Sequence, residues 1–394
     1  MNLTSHSLCS GCSACYAVCP RKAISMQPDE DGFAYPHLDE SLCVNCGLCE
    51  RVCPALHPDE TRKPLSVYAV KANNETLRLV SSSGGVFSLL AQEVIRRGGL
   101  VFGAAFDHSD WHVYHRSVDN EVVLAELRGS KYVQSDMGDC FQEVRDSLVS
   151  GREVLFSGTP CQIAGLKHFL LLSNKVLFEK LILVEIVCQA VPSPFMWGKY
   201  LAWRMKSANG NSGTRGKIER IAFRCKELGW KRYSMFIEES NGVIYSSEHN
   251  KDAYMRAFMA GLSCRPSCHN CKVRELRSGA DLTIADYWSV DQRFPDMDDD
   301  KGVSLVLANT EKGRGLIDAV SSDVELNQSD FDHACQINPM IMRSPMRHNK
   351  RVYFFSMVKE DNFEELVEKC LCMPVGRRLK HWVGNILRKM GLRK

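Results

Sequence analysis

The sequence predicts three parts in order: a small α+β domain built around cysteines, an α/β body, and a C-terminal amphipathic helix. Three observations carry this. Two identical cysteine runs fall within the first 54 residues. Beyond a polar stretch with two prolines, period-two and period-3.6 patterns take turns, as strands and helices do in an α/β domain. Finally, apolar residues recur at helical spacing along a basic C-terminus. The expected divisions are a cysteine domain at 1–56, a linker at 57–66, a body at 67–345 in two parts meeting at 150/151, and a helical basic tail at 346–394.

Of 394 residues, 44% are hydrophobic and 18 are cysteine. That apolar content excludes a disordered chain. The longest apolar stretch, Leu181 to Val191, is broken by Glu185 and Gln189, far short of the roughly 18 residues a membrane-spanning helix needs. Residues Met1 to Ser10 lack the basic and apolar regions of a secretory signal. A cytoplasmic location is therefore expected, either free or peripheral to the inner face of the membrane. In that reducing compartment, abundant thiols point to metal binding or redox chemistry rather than structural disulfides. The net charge of +3 is uneven: Arg377, Arg378, Lys380, Arg388, Lys389, Arg393 and Lys394 lie in a terminal stretch with no acid, leaving the rest net negative. A nucleic-acid-binding body would carry a basic face of its own, so no nucleic-acid partner is expected.

The cysteine runs are Cys9, Cys12, Cys15, Cys19 with Pro20, and Cys43, Cys46, Cys49, Cys53 with Pro54. Each reads C-x2-C-x2-C-x3-C-P, the spacing that ligates 4Fe-4S cubanes, the fourth cysteine of each run serving the other cluster. Cys9, Cys12, Cys15 and Cys53 then hold one cluster, and Cys43, Cys46, Cys49 and Cys19 the second. A tight loop lets three successive thiolates reach three irons, while the fourth is expected at the start of a helix-like segment. A zinc ribbon would use two C-x2-C pairs and leave half of each run unexplained. The segment resembles bacterial-type ferredoxin domains, which implies a one-electron relay.

Along the body, Val67 to Lys71 reads as a strand and Gly84 to Arg97 as a helix with Phe87, Leu90, Ala91, Val94 and Ile95 on one face. Leu100 to Phe106 and Trp111 to Ser117 are strand-like, Asp139 to Ser150 helical, and Glu153 to Phe156 a short strand. Cys161 to Leu171 reads as a helix and Leu181 to Val187 as an apolar strand. Neither common glycine-rich nucleotide fingerprint is present. Ser81-Ser82-Ser83-Gly84-Gly85 stands at a helix start, where it is either a phosphate cradle or a plain serine N-cap.

Ten cysteines remain. Cys161 and Cys188 follow two strands that, if parallel, place both thiols at the carboxyl edge of one sheet, where open α/β sheets bind ligands. Cys268 and Cys271 would complete four thiolates. The alternatives are a reactive thiol at a helix start, half a zinc site, a dithiol, a local trio with Cys264, or ordinary buried cysteines. Cys140, Cys225, Cys264, Cys335, Cys370 and Cys372 receive no role.

Several stretches together resemble the beta-subunit family of coenzyme F420 (deazaflavin) hydrogenases and dehydrogenases. They are Ser82 to Val86, Leu127 to Ser135, Phe156 to Gln162, Val187 to Pro194, Arg265 to Cys271 and Ala280 to Trp288, and they span roughly residues 65 to 330. The resemblance implies an α/β iron-sulfur flavoprotein body holding FAD beside a 4Fe-4S cluster. It makes Cys161, Cys188, Cys268 and Cys271 the expected ligands of a third cluster. Ser83, Gly84, Gly85 and Lys131 become the expected flavin contacts, Lys131 supplying a cation for a reduced flavin. Gln189-Ala190 stands where many relatives show His-Gly, so no imidazole follows Cys188.

In the tail, Val375, Leu379, Trp382, Val383, Ile386, Leu387 and Met390 share one helical face opposite the basic residues. That is the pattern of an interfacial helix, or of one packed on the body. The expected activity is that of an oxidoreductase relaying electrons from a redox donor protein or reduced ferredoxin, through three clusters, to FAD and an organic two-electron partner such as the deazaflavin. The alternative is an electron-transfer subunit with no substrate of its own, serving a partner enzyme near a membrane surface.

Overall fold

The computed structural model describes residues 3–173, 175–207, 216–359 and 362–372. The amphipathic segment 375–394 lies outside them. The N-terminal domain centres on an antiparallel hairpin of β1 (Ile24–Pro28) and β2 (Ala34–Leu38). Each cysteine run forms a loop around a short helix, Ala14–Val18 in the first and Leu48–Arg51 in the second. The two loops repeat each other in backbone conformation. Gly11 and Asn45, and then Ser13 and Gly47, occupy matching places between the first three cysteines, and all four have positive φ. Successive left-handed residues curl each loop inward, which explains the Gly and Asn at these places. Cys19 closes the first helix with extended backbone (φ −70°, ψ 110°), the geometry that a following proline imposes. The fourth cysteine of this run thus ends a helix rather than opening one.

The body is built on one mixed eight-stranded sheet. Its strands are β3 (Ser66–Ala72), β4 (Leu100–Phe106), β5 (Val113–Val118), β6 (Val154–Gly158), β7 (Leu181–Ile186), β11 (Leu282–Asp286), β12 (Ser304–Ala308) and β13 (Val324–Ser329). They lie in the order β13-β3-β12-β11-β7-β6-β4-β5. The centre, β4-β6-β7-β11, is parallel; the flanking pairs are antiparallel. A parallel centre needs cover on both faces, and the core is arranged accordingly. Val154 and Phe156 pack under the helices Cys140–Val149 and Pro160–Ser173, whereas Leu155 between them packs on the other face with the helix Val86–Arg96. Strands from before and after residue 150 share this sheet, so the division at 150/151 corresponds to no break in it.

A second sheet of β8 (Ile218–Cys225), β9 (Ser234–Glu239) and β10 (Ile244–Glu248) packs through an aromatic core containing Trp197, Tyr200, Phe223, Tyr254, Phe354 and Phe363. Phe354 and Phe363 belong to the helices Arg351–Met357 and Phe363–Leu371. The described start of the expected tail, up to residue 372, is therefore part of the body. The expected linker is also tied down: Asp59 bridges to Lys167, and the Leu65 N–H donates to the Ala308 carbonyl (2.8 Å). Among the described residues, no helix is long and apolar enough to cross a membrane.

The N-terminal domain is packed into the same core. Cys12, Ala14 and Val52 join Ile163, Leu166 and Phe169 in one apolar cluster. The contact closes on Gly165 in the helix Pro160–Ser173, where a Cβ would stand 3.0 Å from Cys12 Sγ and 3.4 Å from Ala14 Cβ. A mid-helix glycine costs about 1 kcal/mol relative to alanine; here it lets the two domains approach backbone to side chain.

Candidate functional site

β6 and β7 run parallel in register from Val154–Leu181 to Gly158–Glu185. Cys161 and Cys188, just past the ends of these strands, therefore leave the same carboxyl edge. Cys268 lies in the 3-10 helix Pro266–Asn270, and Cys271 caps it. The N–H of Arg265, before that helix, donates to the Val191 carbonyl (3.0 Å) and fastens the turn beside the chain leaving Cys188. The four thiols line one cavity of about 40 Å³, which Ser10 and Pro54 of the N-terminal domain also line. Cys264 is not on that wall. Its thiol donates to the Phe258 carbonyl (3.6 Å) within the aromatic core, away from that cavity.

No three of these four sulfurs lie within 4.8 Å of one another, a wider spread than a tetrahedral zinc site has. Tetrahedral zinc holds its thiolates at about 2.3 Å, which puts the sulfurs about 3.8 Å apart. Among the described residues the only His, Cys, Asp or Glu donors in a group of three within 4.8 Å of one another are Asp107, Asp110 and His112. Burial, then the nearby Cys271 sulfur, pushes the Cys161 thiol up, and burial with Cys268 pushes Cys188 far up. Cys268 is pushed up to about 12, chiefly by burial. Thiols this reluctant to ionise become thiolates beside a cationic centre, so the donor set fits an iron-sulfur cluster. It does not fit a reactive low-pKa cysteine.

The N-terminal sulfurs lie in two groups. Cys19, Cys43, Cys46 and Cys49 surround a cavity of about 20 Å³. Burial and then mutual repulsion act on the other group: Cys9 feels Cys53, Cys12 feels Cys15 and Cys53, and Cys15, raised to about 12, feels Cys9 and Cys53. The groups also stand in sequence. Cys15 senses Cys49 of the outer group, and Cys12 senses Cys161 of the body.

Cys188 faces two ways. Besides the four-cysteine cavity it lines a second one of about 480 Å³, within the range of cofactor sites. This larger space is bounded by Ser81 to Ser83, by Gly85 to Ser88 at the start of the helix Val86–Arg96, by Leu127 to Val133, and by Asp286 and Trp288 after β11. That helix is capped by Gly85 (φ 88°) with no side-chain hydrogen bond. The serines are occupied otherwise, because Ser82 Oγ accepts from the Ser130 N–H (2.7 Å) and Ser83 Oγ donates to the Val303 carbonyl (2.8 Å). The plain serine N-cap is thus replaced by a helix start whose first N–H groups lie at the cavity. A further helix, Glu75–Leu79, intervenes between β3 and this loop.

Ser83, Gly85 and Lys131 line the large cavity, but Gly84 does not. A Cβ on Gly84 would stand 2.5 Å from the Val70 carbonyl oxygen and 2.7 Å from Ser304 N, so it is glycine for close packing on β3 and β12. Lys131 Nζ donates to the Glu126 (2.7 Å) and Arg128 (2.8 Å) carbonyls, and burial brings it down to about 7. Three polar residues of the wall carry no sequence signal of their own. His115 on β5 is buried; its Nε2 pairs with the Ser157 carbonyl (3.1 Å), its Nδ1 has no partner, and burial holds it down to about 4. Arg224 binds both oxygens of Asp286 (2.8 and 2.9 Å). Asp286 at least lies in a recognisable stretch at a strand end; Arg224 and His115 do not.

A double cubane-type cysteine domain joined to a four-cysteine sheet edge and a cofactor-sized cavity defines an iron-sulfur oxidoreductase. Residues 8–56 match the 4Fe-4S dicluster domain, and residues 151–333 match the family described as the C-terminal part of the beta subunit of coenzyme F420 hydrogenase/dehydrogenase. A similar solved chain comes from the F420-reducing NiFe hydrogenase complex of Methanosarcina barkeri, studied as a xenon derivative. It is 16% identical, with a TM-score of 0.49 over 72% of this chain and 91% of that one. No curated protein matches the sequence.

Proposed function

We propose that the protein carries electrons singly through three 4Fe-4S clusters and gathers them on FAD in the large cavity, for exchange with an organic two-electron partner. The observation that carries this reading is the position of Cys188, on the wall of both the four-cysteine cavity and the large one. The ligands are Cys19, Cys43, Cys46 and Cys49 for the outer cluster, Cys9, Cys12, Cys15 and Cys53 for the middle one, and Cys161, Cys188, Cys268 and Cys271 for the inner one. FAD, when bound, supplies the junction between single-electron carriers and two-electron organic chemistry. The residues present fit it. Gly85, Val86 and Phe87 offer uncapped N–H groups at the positive end of a helix, where a phosphate is stabilised. Lys131, close to neutrality in its proton affinity, can hold a proton or release it as charge on a neighbouring ring changes. His115 stays neutral and presents Nδ1 as an acceptor.

Electrons enter or leave through the outer cluster. Cys46 is exposed, and Leu42 and Val44 beside Cys43 are exposed apolar residues, a surface suited to a redox donor protein or reduced ferredoxin. The deazaflavin is the first organic partner to test.

Anaerobic purification with iron and flavin quantification tests the reading. About 12 iron are expected per chain, four at each of three sites, with one flavin. Cys161→Ser should lose about four iron and keep the other eight. A wild-type content of eight would remove the inner cluster. Three clusters with no flavin would leave an electron-transfer protein without a substrate of its own.

A further inference from the structure

Arg265 is completely buried between the middle and inner cysteine groups. Its guanidinium donates from Nε to the Cys9 carbonyl (2.7 Å), from Nη1 to Gln134 Oε1 (3.0 Å), and from Nη2 to the Ala34 carbonyl (3.0 Å); Nη2 also reaches Cys9 Sγ at 3.7 Å. The group lies 4.2 Å from the centre of the Tyr35 ring. Gln134, which receives one of these bonds, donates in turn to the Ser10 carbonyl (3.1 Å). The chain makes room for this fork: a Cβ at Gly11, whose φ is 69°, would stand 2.7 Å from Arg265 Nη1.

None of the described hydrogen bonds of this guanidinium goes to a carboxylate. A buried charge without a counter-charge is costly, so its compensation has to come from sulfur. Its Nη2 reaches Cys9 of the middle group, and Arg265 itself opens the turn that carries Cys268 of the inner group, whose N–H donates to the Arg265 carbonyl (3.1 Å). One cation thus faces ligands of two clusters at once.

We propose that Arg265 is a positioning residue for electron passage: shared between the middle and inner clusters, it raises both reduction potentials together, so that the step between them is kept while both clusters become easier to reduce. No bond is made or broken in that step; a single electron moves. The inference rests on the three-cluster reading above.

The test is an EPR-monitored redox titration of the anaerobic full-length protein beside Arg265→Gln, Arg265→Met, Arg265→Lys and Arg351→Gln. Arg351 is a fitting control, a buried guanidinium that also holds the N-terminal domain but through Asp31 (2.8 Å) and the Cys264 carbonyl (2.8 Å), not a proposed ligand sulfur. Arg265→Gln should lower the middle and inner midpoints enough to change the reduced-to-oxidised ratio about tenfold at fixed potential, about 59 mV for one electron. The outer midpoint should stay in place, as should all three in Arg351→Gln. Unmoved midpoints in an Arg265→Gln protein holding about 12 iron would overturn the proposal, as would an equal fall in Arg351→Gln. If the Gln variant loses iron, the neutral Arg265→Met decides: lowered middle and inner midpoints with a fixed outer one support the role and three unchanged midpoints overturn it, while Arg265→Lys, which keeps the charge, should stay close to the wild type. About eight iron in the wild type would remove the reading and the inference together, whereas 12 with unmoved midpoints removes the inference alone.

Discussion

His115 is a residue whose behaviour follows chiefly from burial. Its ring stacks on Phe156 (5.4 Å) at the edge of the large cavity, and its proton affinity is depressed to about 4 from the ordinary 6.5. The unfolded chain therefore binds the proton more readily than the folded one between these values. The stability this group contributes is fully present above pH 6.5 and is lost as pH falls through the window to 4, about 3 kcal/mol in all. Thermal melts between pH 7 and 4 should show a steeper acid decline for the wild type than for His115→Phe; parallel curves would contradict this. For Lys131, depressed to about 7, stability is highest above its ordinary value and falls with pH down to 7. His115 is marked by no motif, because what perturbs it is an enclosure assembled from distant segments; Lys131 lies in a recognisable stretch, but its burial is not written there. The cysteine runs are the opposite case. Their chemistry is set by local spacing, and left-handed backbone at Gly11, Ser13, Asn45 and Gly47 suffices to curl them.

Among elements, the helix Pro160–Ser173 does two jobs, beginning beside Cys161 and accepting the N-terminal domain at Gly165. Gly165→Val should force the domains apart at a cost of about 1–3 kcal/mol, read as a lower melting temperature and a loss of iron from the Cys12 group before the outer one. Unchanged melting with full iron would show that the contact yields more easily. The strands and longer helices of the body between residues 67 and 187 were legible within a few residues, since most are buried on one or two faces and their apolar periods are strong, whereas the hairpin of β1 and β2 was not placed. β8 to β10 were not: β10 alternates exposed and half-buried residues, with Ile244 in the open, so no period survives in the sequence. The paired cysteines at the ends of β6 and β7 were legible because strand parallelism follows from the alternation of elements. The pairing of Arg224 with Asp286, 62 residues apart, and of Arg265 with Cys9, 256 apart, depends on tertiary contacts for which the sequence holds no local trace.

At the scale of the molecule, the N-terminal domain reads from sequence as a detachable module, yet Cys12, Ala14 and Val52 are part of the body's core. Removing residues 1–56 should uncover Ile163, Leu166 and Phe169, giving a chain that melts lower and binds hydrophobic dyes. A truncated protein as stable as the full one would argue for independent modules. The anchored segment from Asp59 to Leu65 and the close approach at Gly165 have a kinetic consequence. In the proposed three-cluster relay, traffic between the middle and inner sites would be unimolecular, at a separation fixed by packing, so its rate should be indifferent to dilution, viscosity and salt. Delivery at the exposed Cys46 end is a collision between molecules, and ionic strength should govern it. The fold thus divides one current into a stretch that the solvent can throttle and a stretch that it cannot reach.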